Sequence, residues 1–297
     1  MKIAIAGGSG FIGQHLIESF LRDQHEIYLI SRKKQPTHDP SLTSLTWSDL
    51  ALTPHLLEGV DAIINLAGES INQRWTADAK HRILQSRLET TGQIADLVAK
   101  LTRKPQVIIN ASGMSIYGLS ETATFDETSP HVHDHFLSDV VEQWEQAAHQ
   151  IPATRVVTLR VGIVLGMDGG AFPKMFMPYK LFVGGKVGSG RQWLSWIHVE
   201  DMVRLIQFCI ENPQITGPVN GTAPTPLRND DFGRVVGQVA GRPHWLPVPA
   251  FMMKLLFGEL SVLLLQGQKV LPQKLLDHGF QFRYPTLEPA LHHLLHH

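Results

Sequence analysis

Of 297 residues, one is cysteine, so no intramolecular disulfide can form. Cys209 lies in the apolar run 203–210 and reads as a small core residue of a reducing, cytoplasmic compartment. Neither sign of charge is in excess. The 26 Lys and Arg face 27 Asp and Glu, for a formal net charge of −1 and a pI near 7.0. Nothing in that balance argues for a DNA or RNA partner. Long apolar runs are also missing, which argues against a membrane span. Residues 251–265 come closest, but Lys254, Gly258 and Glu259 interrupt them, and they read as helices packed on the core rather than as a membrane-surface anchor. The N-terminal apolar run is too short for a signal peptide and is better explained as a strand. There is no internal repeat and no low-complexity linker.

With 43% hydrophobic and 18% charged residues, the composition is that of a folded globular chain, long enough for a full α/β domain and a smaller one. Its organising stretch is MKIAIAGGSGFIG at the N-terminus. Residues 2–6 read as a central parallel strand buried on both faces. Gly7, Gly10 and Gly13 follow at G-x-x-G-x-x-G spacing. A side chain at the first would obstruct the tight turn. At the second it would hold a pyrophosphate away from the backbone, and at the third it would push the following helix off the strand. That helix, 11–22, would offer the free amides of Phe11, Ile12 and Gly13 and the positive end of its dipole to phosphates. A second strand, 26–30, completes the βαβ unit of a dinucleotide site, against the alternative of a plain glycine turn.

The end of that second strand selects the cofactor. An NAD site usually places an acid there, about 20 residues past the glycines, on the ribose 2′-hydroxyl. Here the residues are Ser31, Arg32, Lys33 and Lys34, and the three cations among them suit a 2′-phosphate, so NADP(H) is the expected cofactor. The plainer reading is a solvated basic turn.

Further strands are expected at 61–66, 106–110, 156–159 and 217–222, with helices over 74–99 and 136–150. Leu66, Ala67, Gly68 and Glu69 form a small-residue strand end across which a cofactor can lie. The alternation implies a Rossmann-type doubly wound parallel sheet. Residues 1–165 would form the nucleotide domain, with 196–222 packing back onto it. Residues 166–297 would form a smaller, mainly helical substrate domain, with a cleft at the junction. Arg191 and His198 lie near that junction and could bind an anionic substrate group or hold a closing loop. Glu69 and Arg87 could also face the cleft. Residues 131–135 alternate histidines in a loop without a second ligand cluster, so a solvated segment, not a metal site, is expected. The histidine-rich end, 291–297, reads as a helix tail.

The motifs GGSGFIG, NLAGES, ASGMSIYG, LRVGIVLG and SWIHVED resemble, in that order, the extended short-chain dehydrogenase/reductases, which include nucleotide-sugar epimerases. INLAGESINQRWT with SRLETT, GGKVGSGRQWLSWIH and the tail from GRPHWLPVPAF to GFQFRYPTLEPAL are similar to its epimerase-family subgroup, which carries its own C-terminal domain. The resemblance spans nearly the whole chain and implies a small-molecule substrate. Dimerisation through helices is common in such folds, with no helix singled out here.

In that superfamily a tyrosine and a lysine four residues later do the acid/base work, helped by a serine or threonine. The ammonium and the nicotinamide charge lower the phenol pKa. Four tyrosines occur, Tyr28, Tyr117, Tyr179 and Tyr284, and none has lysine four residues on. Phe136 and Val140 occupy the expected positions. Ser112 matches the helper position, one extra residue before Tyr117 allowed, and the alternative is a serine satisfied locally. Tyr117 could act as the acid, or be a buried phenol bonded to the scaffold. Two functions follow: an NADP-dependent oxidoreductase or epimerase-like enzyme on a small hydroxyl or carbonyl substrate, or a catalytically silent NADP-binding sensor or partner protein.

Overall fold

Seven segments pair side by side, all parallel, in a computed structural model that describes residues 1–153 and 155–296. In chain order the strands are β1 (Lys2–Ala6), β2 (Glu26–Ser31), β3 (Leu42–Thr46), β4 (Ala62–Asn65), β5 (Val107–Gly113), β6 (Val156–Val161) and β7 (Gly217–Gly221). Across the sheet they run β7-β6-β5-β4-β1-β2-β3. Lys2 pairs with Glu26 on one side of β1 and Ile3 with Ala62 on the other. The strand order reverses between β1 and β4, and ligands of such sheets bind at that switch point, outside the carboxyl ends of the strands.

The helices follow from the two-residue alternation of the strands, which gives the sheet two apolar faces to cover. Ile3 and Ile5 meet Leu16 and Phe20 of α1 (Phe11–Arg22), together with Met202 and Ile206 of a later helix, Val199–Glu211. On the opposite face Ala4, Ala6 and Ile63 meet Leu50 of α2 (Trp47–Leu52) and Ile94, Leu97 and Val98 of α3 (Ala77–Lys100). α4 (Phe136–His149) lies beside α3. A separate apolar cluster joins Phe172 and Phe176 of α5 (Phe172–Lys180), Trp196, Phe232 and, from the last helix Leu287–His296, Leu287 and Leu291. That helix carries the histidine-rich tail; His297 lies outside the described residues. Cys209 is fully buried, and burial pushes its thiol up to about 12.

Three local readings change. Strand β3 escapes the reading because LTSLT is half polar and sits at the sheet edge. Helix α3 begins at Ala77, because the Thr76 side chain accepts from the amide of Ala79 and caps it there. The third correction concerns residues 251–265. The helix Ala250–Phe257 buries none of its residues, and Phe251, Leu255 and Leu256 are 69%, 79% and 64% exposed. It packs on the turn and short helix that follow it, 258–265, and the expectation holds only for that second half, where Leu260, Val262 and Leu263 pack on an apolar cluster. Among the described residues no helix is long and apolar enough to cross a membrane.

Candidate functional site

The glycine turn between β1 and α1 is shaped by close backbone approaches. Gly7 has φ +79°, and a Cβ there would lie 2.7 Å from the backbone nitrogen of Ala67 on the end of β4. At Gly10 a Cβ would stand 3.3 Å from the carbonyl of Gly7, which accepts from the Gly10 amide at 3.0 Å. The Gly13 position differs from expectation in its reason. A Cβ there would come within 2.5 Å of Gly8 Cα, so the third glycine lets the helix cross its own turn, not the strand. Gly10 provides no side-chain cap, and the first turn of α1 holds no acid. The amides of Phe11, Ile12 and Gly13 consequently have no acceptor among the described residues, which leaves an anion cradle at a helix N-terminus. The Phe11 ring turns away under the 166–170 loop, where a Cβ at Gly166 would meet it at 2.4 Å.

At the tip of β2, Ser31 Oγ donates to the carbonyl of Lys33 at 2.5 Å. Arg32 and Lys33 are exposed, and neither pairs with a carboxylate among the described residues. The end of β4 is held from below. The Leu66 amide donates to the Ala6 carbonyl at 2.9 Å, the Ala67 amide to Asn65 Oδ1 at 3.2 Å, and the Glu69 amide to Ser86 Oγ at 2.9 Å. The Glu69 carboxylate accepts from Gln73 Nε2 at 3.2 Å. Arg87 of α3 passes beneath Gly68, where a Cβ would be 3.2 Å from its Cζ. Its Nη1 donates to the carbonyls of Glu69 and Ile83, at 3.1 and 2.8 Å. Burial brings the Arg87 guanidinium down to about 10, against the pull of Glu69.

Ser112 and Tyr117 do not face an open cleft; they are 4% and 1% exposed. Both belong to a buried polar network below the ends of β5 and β6. Ser112 Oγ donates to Glu145 Oε1 at 2.6 Å, and Arg160 grips both oxygens of Glu145, from Nε and Nη2, at 2.8 Å each. Arg160 Nη1 donates to the Tyr117 hydroxyl at 2.8 Å, and that hydroxyl donates to Asn220 Oδ1 at 2.7 Å. Burial pushes the Tyr117 phenol up to about 12 despite the neighbouring guanidinium. Burial would lower Arg160, but Glu145 more than offsets it and holds the guanidinium above its usual value. The network reaches the surface at His131, which is tied in by Arg160 Nη2 at 2.8 Å rather than simply solvated. His133 pairs with Glu142, and His135 with Asp134. Glu145 escaped the sequence reading, although the signal is there: it shares the buried stripe of α4 with Val141, Trp144 and Ala148.

Phe136 and Val140 sit in an apolar cluster with Trp75, Ile83 and Leu137. Leu260, Val262 and Leu263 from the C-terminal region pack against it, and Lys80 Nζ binds Glu259 Oε1 at 2.6 Å beside them. The Phe136 ring meets Trp75 edge-on at 5.3 Å. No proton donor replaces the expected pair at these two positions.

Arg191 is exposed and bound to Glu121 at 3.3 Å. His198 is fully buried and does not face an open cleft. Its Nδ1 accepts from the Glu200 amide at 3.1 Å and caps the helix Val199–Glu211, while its Nε2 meets His293 Nδ1 at 3.1 Å. Burial lowers His198 to about 4, with Glu200 opposing and His293 reinforcing the shift. The unfolded chain then binds the proton more readily, so this residue costs stability as pH falls from 6.5 towards about 4. Its contribution is about 3 kcal/mol at most. Urea unfolding of wild type and His198→Gln across that range tests this: the wild type loses stability on acidification more steeply than the variant, and parallel curves would refute it.

The NAD dependent epimerase/dehydratase family model matches residues 3–220, and a domain of unknown function (DUF1731) matches residues 248–294. Epimerase family protein YfhF of Bacillus subtilis (strain 168) is 44% identical over 99% of this chain and 98% of its own length. The chloroplastic SDR39U1 homolog of Arabidopsis thaliana is 38% identical, covering 98% of this chain and 86% of its own. The crystal structure of human epimerase family protein SDR39U1 (isoform 2) with NADPH superposes with a TM-score of 0.92 at 37% identity, over 100% of this chain and 99% of that one. The glycine cradle, the switch-point sheet and these full-length matches agree, and the chain belongs to the NAD dependent epimerase/dehydratase family.

Proposed function

We propose that the chain binds NADPH and acts as an oxidoreductase or epimerase-like enzyme on a small hydroxyl or carbonyl substrate, without the usual tyrosine–lysine pair. The observation that carries this reading is the cradle at Gly7, Gly10 and Gly13, with its three unpartnered helix amides, next to the unpaired Arg32 at the tip of β2. Phosphates fit the amides and the helix dipole, and a 2′-phosphate fits the guanidinium. The human relative crystallised with NADPH supports the same choice. When bound, the nicotinamide supplies hydride chemistry; the protein binds, orients and excludes water. Ser112 and Tyr117 serve as positioning residues in this reading, since their hydroxyls are spent on Glu145 and Asn220.

A second reading, an NADP-binding sensor without catalysis, is favoured by one observation: Phe136 and Val140 lie under Leu260, Val262 and Leu263, and the nearby Lys80 ammonium is bound to Glu259. Absorbance of NADPH during a screen of small aldehydes and ketones separates the two, since turnover is expected only for the enzyme. The cofactor assignment is tested by calorimetry of Arg32→Asp with NADPH and NADH. The substitution should weaken NADPH by about tenfold or more, the scale of one charged hydrogen bond, and leave NADH within about threefold. Equal affinities in wild type and variant would remove Arg32 from the site.

A further inference from the structure

The proton donors expected along the chain are spent inside the protein. The hydroxyls of Ser112 and Tyr117 donate to Glu145 and Asn220. Beside Phe136, which stands where the superfamily resemblance expects the tyrosine, the Trp75 indole is committed as well, its Nε1 donating to the Ile71 carbonyl at 3.0 Å. Lys80 is not spent. Its Nζ lies 5.2 Å from the centre of the Phe136 ring, and among the described residues only Glu259 Oε1 accepts from it, at 2.6 Å. An ammonium carries three N–H donors, so two remain free.

Lys80 stands in the first turn of α3, where its amide donates to the Thr76 carbonyl, and its side chain returns over the Phe136 ring, whose face attracts a cation. A plain tether between α3 and the C-terminal segment is the competing role. The two side chains are 29% and 56% exposed, and so open an ion pair adds little to holding a segment in place. Packing of Leu260, Val262 and Leu263 already does that. The pair is also neutral as a whole. A carboxylate or phosphate gains little from an ammonium that Glu259 has answered, whereas an uncharged oxygen can use its free N–H groups. The residues around it are apolar, and an apolar surface with a single placed donor is the composition of a small-molecule site.

We propose that Lys80 donates to the carbonyl oxygen of the substrate, from α3 instead of α4, and that the substrate is an uncharged, apolar aldehyde or ketone lying against the Phe136 ring. This rests on the NADPH reading above and gives it a substrate class. Phe136 supplies surface where the superfamily supplies a proton, and the donor comes from across the ring.

Calorimetry of the NADPH-saturated protein with benzamide and benzoate tests this. Benzamide presents a carbonyl acceptor on an apolar ring; benzoate replaces it with a charge. Wild type should bind benzamide several-fold more tightly than benzoate. Lys80→Met should weaken benzamide by about tenfold, the scale of one hydrogen bond from a charged donor, and leave NADPH within about twofold, which also shows that the variant is folded. Lys80→Arg, which keeps the charge and the donors, should recover most of the loss, and it carries the test should the methionine variant not fold. Glu259→Gln separates the proposal from a tether. With the ammonium's charge unanswered, benzoate should gain several-fold and benzamide stay within about twofold, whereas a tether would lose benzamide as Lys80→Met does. Benzamide that fails to bind wild type, binds Lys80→Met equally well, or is lost in Glu259→Gln overturns the proposal. A wild type that does not bind NADPH would instead strike the reading beneath it.

Discussion

Glu145→Ala should lower the unfolding free energy by about 3–5 kcal/mol, the largest stability effect expected of a single polar substitution here. The reason is the charge it leaves behind. Glu145 and Arg160 have side chains only 3% and 2% exposed, and the carboxylate answers the guanidinium with both oxygens. Without it Arg160 keeps the Tyr117 hydroxyl and His131 but has no counter-charge while its side chain is only 2% exposed. Ser112 Oγ loses its acceptor as well. Glu145→Gln, which retains an oxygen acceptor and the volume, should cost less than the alanine variant. An exposed pair offers the contrast: Arg283→Ala, which breaks its bond to Glu200, should cost no more than about 1 kcal/mol. Urea midpoints with unchanged slopes measure all three. A Glu145→Ala loss below about 1 kcal/mol would mean that the Arg160 guanidinium is hydrated in spite of its burial.

Gly13→Ala should reduce NADPH affinity by about a hundredfold, equivalent to ~2.7 kcal/mol. The added carbon would overlap the backbone at Gly8 Cα, 2.5 Å away, and Gly7 O, 2.7 Å away, and backbone cannot swing aside as a side chain can. Relief requires α1 to lift from the turn, which withdraws the very amides that would meet the phosphates. Gly92 is the control. It lies within α3 with nothing within 4 Å of a Cβ, so Gly92→Ala should leave NADPH binding unchanged and raise stability by about 0.5–1 kcal/mol. A folded Gly13→Ala protein that binds NADPH as well as wild type would show that the helix start is not where the phosphates sit.

The sheet was legible because buried parallel strands are continuous apolar runs, as in residues 2–6 and 106–110, and because glycine spacing marks the first turn. Strand β3 was not, since an edge strand needs apolar residues on only part of its surface. Composition also misplaced the helix Ala250–Phe257: its apolar residues suggested burial, but nothing local tells an apolar face against the core from one that meets mainly the segment following it. At the site, the glycine turn and the free helix amides were readable because a backbone turn of this kind is a matter of local spacing. The polar network was not. Ser112 and Tyr117, Glu145, Arg160 and Asn220 come from four separate segments, and only the sheet order brings them together. The same assembly explains why Ser112 and Tyr117, plausible as reacting groups along the chain, have their hydroxyls committed to protein partners.

Calorimetric titration of the unmodified protein with NADPH and NADH is the most direct test of the account. NADPH should bind with a clear preference over NADH, by about tenfold or more, with one site per chain. Equal binding of the two nucleotides would contradict the role given to the β2 tip, and binding of neither would contradict the cradle itself.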